Sequence, residues 1–184
     1  MEVQRKNILL IAGTGRNVGK TMFACNIIKC LSNQTPITSI KISPHFHELS
    51  PNLEIISQNE NYLISKENKK EGEKDSNRLL NAGSKEVYYV QAKDEFLTEI
   101  LSYFDCILDP TTPIICESGA LRDIIQPGLF LMIDKKNNNN LKPRAIGYKQ
   151  LANEWIEFDG EEFDFTANKI AFSNNEWVIK KLTT

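Results

Sequence analysis

The chain has 184 residues, the length of one domain of about 150 residues with some excess. Its 22 Lys and Arg residues nearly balance 24 Asp and Glu residues, which leaves a formal net charge of -2. This near-balance argues against a general nucleic-acid-binding protein, because such proteins usually carry a basic excess. Hydrophobic residues make up 41% and charged residues 25%, so the chain has enough apolar side chains for one core.

The apolar runs predict no membrane span. The longest, residues 8–12 and 129–133, fall far short of the roughly 20 residues that cross a bilayer. Residues 1–6 lack the apolar region and the cleavage site of a signal peptide. No two cysteines form a CxxC pair, and we interpret all four as buried thiols of a reducing compartment. We therefore expect a cytoplasmic protein that binds neither membranes nor nucleic acid.

The first forty residues predict a strand, a loop, a helix and a second strand. Residues 7–12 (NILLIA) are a continuous apolar run, typical of a strand buried on both faces. A glycine-punctuated loop follows at residues 13–19. Residues 20–31 carry apolar side chains at helical spacing, and Pro36 prevents that helix from continuing far. Residues 37–42 (ITSIKI) are rich in β-branched side chains and predict the second strand.

A polar stretch separates this unit from the next helix. It contains a weak strand signal near residues 62–64 and a mixed-charge run at residues 66–74. We interpret the charged run as a solvated loop, with a mobile lid over a site as the alternative. Residues 75–82 predict a short helix that Asp75 or Ser76 caps and Gly83 ends.

The next segments continue the alternation of strands and helices. Residues 86–90, 113–116 and 129–133 predict short buried strands, and residues 94–105 predict an amphipathic helix. This order predicts an α/β fold: a parallel sheet with helices on both faces. The tract of four asparagines at residues 137–140 predicts a surface turn.

The last forty residues differ in pattern. Residues 155–158 and 161–165 flank an Asp-Gly turn and predict a hairpin, and residues 169–172 and 176–180 predict a second one. We expect a small antiparallel β appendage. Its aromatic side chains form the appendage's own core or, alternatively, a dimer face.

The strongest chemical signal is the glycine-rich loop, residues 13–21. It follows a buried strand and opens a helix, which is the context that a phosphate-binding loop requires. Its glycines let successive N–H groups point at phosphate oxygens, and the helix adds the positive end of its dipole. The nucleotide-binding residues predicted here are Gly13, Thr14, Gly15, Arg16, Asn17, Val18, Gly19, Lys20, Thr21 and Met22.

Two side chains of this loop have chemical roles in the prediction. Lys20 reaches the β- and γ-phosphates as a catalytic residue, and the Thr21 hydroxyl ligates Mg²⁺. The usual pattern has glycine where this chain has Thr14, and only five residues separate Gly13 from Gly19. An ordinary strand–turn–helix is the alternative interpretation.

The loop resembles that of the dethiobiotin synthetase and cobyrinic acid a,c-diamide synthase group, in which a Gly-Thr start and a Val-Gly-Lys-Thr end are typical. Gly15 and Asn17 replace acidic residues often found in the dethiobiotin synthetase loop. The lysine at position 15 that would mark the dimeric ATPases with a deviant loop is absent.

Later segments resemble the molybdopterin-guanine dinucleotide biosynthesis protein B family of the same P-loop class. In order, they are Lys41 at a strand end followed by Ser43, His45 and His47, then Asp75-Ser76-Asn77-Arg78 with Ala82-Gly83-Ser84, and residues 114–119. The resemblance covers roughly residues 7–133.

The resemblance implies a P-loop nucleotide-binding domain, which we expect over residues 1–148. The β appendage, residues 149–184, has no counterpart in the family, and we expect it to pack on the same domain. The resemblance also implies an enzyme of cofactor biosynthesis that binds a nucleoside triphosphate with Mg²⁺. The nucleotide is ATP, with GTP not excluded, and the γ-phosphoryl group is hydrolysed or passed to an unidentified small-molecule acceptor. The alternatives are a nucleotide-binding partner or scaffold protein with little turnover and a dethiobiotin-synthetase-like ligase. A homodimer is compatible with each.

Three residues outside the loop are the next candidates for catalysis and metal binding. Glu117 ends a buried strand at the carboxyl edge, where open α/β sheets bind ligands, and we interpret it as a Mg²⁺ ligand rather than a capping or ion-paired residue. Lys41 lies at the equivalent edge as a catalytic and substrate-binding cation, with a solvated lysine as the alternative. Asp75 either caps its helix or joins Thr21 and Glu117 around Mg²⁺.

The substrate-binding candidates follow from the same segments. Ser43, His45 and His47 are expected to face the second substrate, and two exposed histidines are the alternative. Arg78 contacts a phosphate or forms a surface ion pair.

Overall fold

The computed structural model describes residues 2–51, 53–138, 141 and 143–180. Its main helices and strands, in chain order, are β1 (Val3–Gly13), α1 (Lys20–Leu31), β2 (Thr38–Ser43), β3 (Leu53–Gln58), β4 (Tyr62–Glu67), α2 (Asp75–Asn81), β5 (Glu86–Ala92), α3 (Leu97–Ile107), β6 (Ile114–Glu117), β7 (Ile125–Lys135), α4 (Pro143–Tyr148), β8 (Glu154–Phe158), β9 (Ile170–Ser173) and β10 (Glu176–Ile179).

A mixed eight-stranded sheet organises the chain. Its strand order is β3-β4-β5-β2-β6-β1-β7-β8. The six neighbouring strands β5, β2, β6, β1, β7 and β8 pair in parallel. At the β5 edge, β4 and β3 add an antiparallel hairpin. The predicted α/β class is confirmed. The sheet, predicted to be parallel, is so except for the β3–β4 hairpin, and β9 with β10 forms the small antiparallel sheet.

Side chains of β1 alternate between two cores, one on each face of the sheet. Leu9 and Ile11 pack with α1, α2 and the β9–β10 hairpin, whereas Leu10 packs with α3 and α4 on the opposite face. Both faces are buried, which explains why the central strands are continuous apolar runs. Trp177 of β10 is fully buried, and its indole Nε1 donates to the Asn7 carbonyl oxygen at 2.9 Å.

The first predicted C-terminal hairpin is wrong. Residues 154–158 form β8, which pairs in parallel with β7 at the sheet edge, and a single bridge joins Phe158 to Phe163. Trp155 packs into one core and Ile156 into the other, so this segment needs two covered faces, which an isolated hairpin cannot supply. The second predicted hairpin is confirmed, and Asn174 and Asn175 at its turn both have positive φ, as its tight turn requires.

The polar stretch contains more structure than predicted. The weak strand signal extends to Glu67 as β4, and β3 before it was missed. Glu67 is buried and accepts a hydrogen bond from the Ser76 hydroxyl at 2.8 Å. The charged run is therefore a solvated loop only from residue 68 to 74, where every residue is exposed.

Smaller predictions also need correction. Lys74 occupies the N-cap position of α2, and neither Asp75 nor Ser76 does. All four cysteines are free, as expected, but Cys30 and Cys106 are exposed and only the other two are buried. Residues 139 and 140 of the asparagine tract lie outside the described residues. None of the helices in the described part of the chain has the length and apolar composition of a membrane span.

Candidate functional site

The glycine-rich loop lies at the carboxyl edge of the sheet, between β1 and α1. Asn17 has φ 56° and Gly19 has φ 94°, so the backbone turns through left-handed conformations before the helix begins. At Gly19 a Cβ atom would stand 3.0 Å from the Phe158 ring and 3.1 Å from the Phe163 ring. Glycine is required there both by its φ angle and by the aromatic pair that packs against it.

Thr14 ties the loop to the end of β7. Its buried hydroxyl donates to Asp134 Oδ1 at 2.6 Å, and its N–H donates to the Ile133 carbonyl oxygen at 3.0 Å. Asn138 Nδ2 donates to the same Asp134 oxygen at 2.9 Å. The threonine that departs from the usual loop pattern therefore anchors the loop to the neighbouring strand.

Sequence reasoning missed Asp134 and Asn138. The signal for Asp134 was a carboxylate directly after the apolar run 129–133, the same pattern that singled out Glu117 after β6. Asn138 lay inside a low-complexity tract, where no single asparagine stands out.

Lys20 folds over the loop. Its ammonium donates to the Gly15 carbonyl oxygen at 2.7 Å. A Cβ atom at Gly13 would stand 2.9 Å from Lys20 Cδ and 2.8 Å from Val18 Cγ2, so this position has no room for a side chain. The loop carries a positive charge close to its own main chain as a result.

Four polar side chains meet at the end of the loop. Glu117 Oε2 accepts from the Thr21 hydroxyl at 3.0 Å and from the Lys41 ammonium at 2.6 Å. The same ammonium lies 2.9 Å from Asp75 Oδ2. Lys41 and Glu117 are opposite each other in the parallel register of β2 and β6, and Thr21 and Asp75 come from the first turns of α1 and α2.

The charges of this cluster stabilise one another. Burial opposes the charge on Lys41, but the Glu117 and Asp75 carboxylates outweigh it and raise the pKa of the ammonium. Burial likewise works against ionisation of Asp75, but Lys41, the Thr21 hydroxyl and Arg78 together outweigh it, so the pKa of the carboxyl is lowered. Lys41 and Asp75 are therefore both charged at neutral pH.

Glu117 has one oxygen without a partner. The residue is 2% exposed, and Oε1 has no hydrogen-bond partner among the described residues. A buried carboxylate oxygen left without a donor costs free energy, which a bound cation would recover.

The donor set fits Mg²⁺. Glu117, Asp75 and Thr21 offer carboxylate and hydroxyl oxygens, the ligands that this ion prefers. Within the described residues no three His, Cys, Asp or Glu side chains form a metal cluster. A magnesium ion here would complete its octahedron with water and phosphate oxygens.

Two clefts meet at the cluster. The loop cleft, of about 390 Å³, is lined by residues 16–22 together with Lys41, Asp75, Arg78 and Phe158. The second cleft, of about 500 Å³, lies between the segment after β2 and the start of α2. Lys41 and Asp75 line both clefts and stand at their border.

The predicted substrate residues divide between the clefts. Ser43 and His47 line the second cleft, and the main chain of His47 is held by the Gln91 side chain through bonds of 2.9 and 3.0 Å. Arg78 lines the loop cleft instead, 3.8 Å from Asp75. His45 is exposed and lines neither cleft, so the structure does not bring it to the cluster.

Comparison of the chain with protein-family models, with curated proteins and with solved structures finds no match. The resemblance of its loop and later segments to the P-loop families stays a prediction.

Proposed function

We propose that this protein is a P-loop NTPase that binds a nucleoside triphosphate with Mg²⁺ and hydrolyses or transfers its γ-phosphoryl group. One observation carries the proposal: the glycine-rich loop leads directly into a cluster that holds a buried, half-partnered carboxylate, Glu117. The loop cleft is lined by loop residues together with Thr21 and Asp75, and Glu117 lies buried directly behind them, where it accepts the Thr21 and Lys41 hydrogen bonds. A glycine-rich turn with only a structural role would not need magnesium-binding side chains beside it.

The loop's main chain supplies the phosphate site. N–H groups of residues 16–21, which line the loop cleft, and the N-terminus of α1 bind the polyphosphate. Lys20 neutralises the β- and γ-phosphates. Because the Gly15 carbonyl already holds the ammonium over the loop, less side-chain freedom is lost when phosphate binds.

The cluster orients the reacting end of the nucleotide. Thr21, Glu117 and Asp75 would hold Mg²⁺, which when bound neutralises charge on the phosphate oxygens. Lys41 stands at the border of the second cleft, where Ser43 and His47 face a small-molecule acceptor. The protein's contribution to catalysis is positioning and charge neutralisation.

Isothermal titration tests the proposal. The wild type, Lys20→Ala and Lys29→Ala are titrated with ATP and with GTP in the presence of Mg²⁺; Lys29 is an exposed lysine of the same helix. We expect micromolar binding by the wild type and Lys29→Ala. Loss of Lys20 should weaken it about tenfold to hundredfold, because charge-assisted hydrogen bonds contribute about 1.5–3 kcal/mol. Millimolar or absent binding, unchanged by Lys20→Ala, would overturn the proposal.

Phosphate release then separates an enzyme from a binding protein. Turnover that rises with a candidate acceptor supports phosphoryl transfer, and turnover with water alone supports hydrolysis. Tight binding with slow release that no acceptor accelerates would instead identify a nucleotide-binding partner or scaffold.

A further inference from the structure

We propose that Lys41 acts as a built-in competitor for the divalent cation. In the nucleotide-free protein its ammonium bridges the Glu117 and Asp75 carboxylates. When metal arrives with nucleotide, the ammonium gives up this bridge and turns to the phosphoryl group at the border of the second cleft. The inference rests on the proposed function, since it concerns the same metal and nucleotide.

The bridge places a cation where the metal ligands converge. The Lys41 ammonium lies 2.6 Å from Glu117 Oε2 and 2.9 Å from Asp75 Oδ2. Oxygens that one ammonium bridges are close enough for one divalent ion to bind both, directly at about 2.1 Å or through a retained water. The ammonium and the ion would repel each other at this distance, so they exclude one another from these two oxygens.

The position of Lys41 allows the exchange. Its side chain is 17% exposed and lines both clefts, so the ammonium has space to leave the carboxylates without leaving the site. A triphosphate in the loop cleft offers it new anionic oxygens. Metal and nucleotide therefore favour each other's binding, and metal alone must compete with the lysine.

The alternative is that the cation binds Glu117 through Oε1 alone. This oxygen has no hydrogen-bond partner among the described residues. A cation that bound only Oε1 would leave the lysine bridge intact. In the proposed arrangement the ion takes the oxygens that the ammonium holds, so removal of the ammonium raises the affinity for metal.

Electron paramagnetic resonance of free Mn²⁺ measures metal affinity without nucleotide. The proteins are the wild type, Lys41→Met and Lys74→Met. Lys74 is exposed and lines the same second cleft, so its variant removes the same charge without touching the bridge. We expect Lys41→Met to bind one Mn²⁺ about tenfold more tightly than the wild type, and Lys74→Met to differ by less than about twofold.

Two results would overturn the inference. Equal Mn²⁺ affinity of Lys41→Met and wild type would mean that the ammonium does not compete with the ion for these oxygens. An equal gain in Lys74→Met would mean that overall charge, not the bridge, sets the affinity. If Lys41→Met fails to fold because Glu117 is left buried without a counter-charge, Lys41→Gln keeps a hydrogen-bond donor and carries the same expectation.

ATP binding by the same proteins separates this inference from the proposed function. If the wild type binds no ATP but Lys41→Met gains Mn²⁺ affinity, the competitor role stands and the nucleotide function fails. If the wild type binds ATP with Mg²⁺ and Lys41→Met gains nothing, only the competitor role fails.

Discussion

The anchor between Thr14 and Asp134 makes a prediction that does not depend on nucleotide. Thr14→Val keeps the shape of the side chain and removes the hydroxyl that donates to Asp134 Oδ1 at 2.6 Å. A buried hydrogen bond to a charged acceptor contributes about 1.5–3 kcal/mol. Asp134 keeps the Asn138 and Lys135 donors at 2.9 and 2.8 Å, so its charge is not left without partners. We expect a loss of about 2 kcal/mol, the middle of the range.

Thermal and urea denaturation measure this loss. For a chain of this length, about 2 kcal/mol corresponds to a decrease in Tm of roughly 4–8 °C. Thr14→Ser keeps the hydroxyl and loses only a methyl group, so it should recover most of the stability. A Thr14→Val protein within about 0.5 kcal/mol of the wild type would show that the loop does not depend on this anchor.

Three further predictions concern packing, thiols and pH. Trp177→Ala should destabilise the whole protein by about 3–5 kcal/mol in urea unfolding, because the indole is fully buried against the sheet; a change below about 1 kcal/mol would mean that the C-terminal hairpin is dispensable. Ellman's reagent should titrate Cys30 and Cys106 in the native protein and the other two cysteines only after denaturation, and rapid reaction of all four would contradict the burial. Lys41, with the Thr21 hydroxyl and Arg78, outweighs burial and lowers the pKa of Asp75. This carboxylate therefore stabilises the fold above pH about 4, and the contribution is lost as the pH falls through its lowered pKa. Asp75→Asn should therefore reduce the acid-induced loss of stability between pH 2 and about 4, and an unchanged pH profile would refute the pairing.

The local sequence pattern was sufficient to predict β1, the glycine-rich loop and α1. The strand, loop and helix from β1 to α1 were predicted because each has its own signal: a continuous apolar run, glycine punctuation and 3.6-residue periodicity. The helix begins at Lys20 and ends at Leu31, the bounds that the periodicity indicated.

Strand pairing was not predictable in the same way. Residues 155–158 precede an Asp-Gly turn, as a hairpin strand would, and the open edge of β7 decides that they join the main sheet in parallel. The edge strand β3 was missed because most of its residues face solvent, so hydrophobic burial left no periodic pattern.

In the site, too, residues with a local sequence signal were predicted, whereas contacts that depend on the packing of strands and helices were not. Lys41 and Glu117 were singled out because each was predicted at the carboxyl end of a buried strand. Glu117 does end β6, whereas β2 continues for two residues past Lys41, and the register of the two strands places these residues opposite each other. Asp134 also ends a buried strand, yet its contact with Thr14 follows from β7 lying next to β1, which the sequence does not state. The bridge from Lys41 to Asp75 likewise depends on where α2 packs.

A crystal structure with Mg²⁺ and a non-hydrolysable ATP analogue tests the central claim most directly. We expect the triphosphate to lie along the main-chain N–H groups of residues 16–21, which line the loop cleft, with the metal at Thr21 and Glu117. An analogue bound elsewhere, or crystals that exclude it while the loop keeps the conformation described above, would contradict the account.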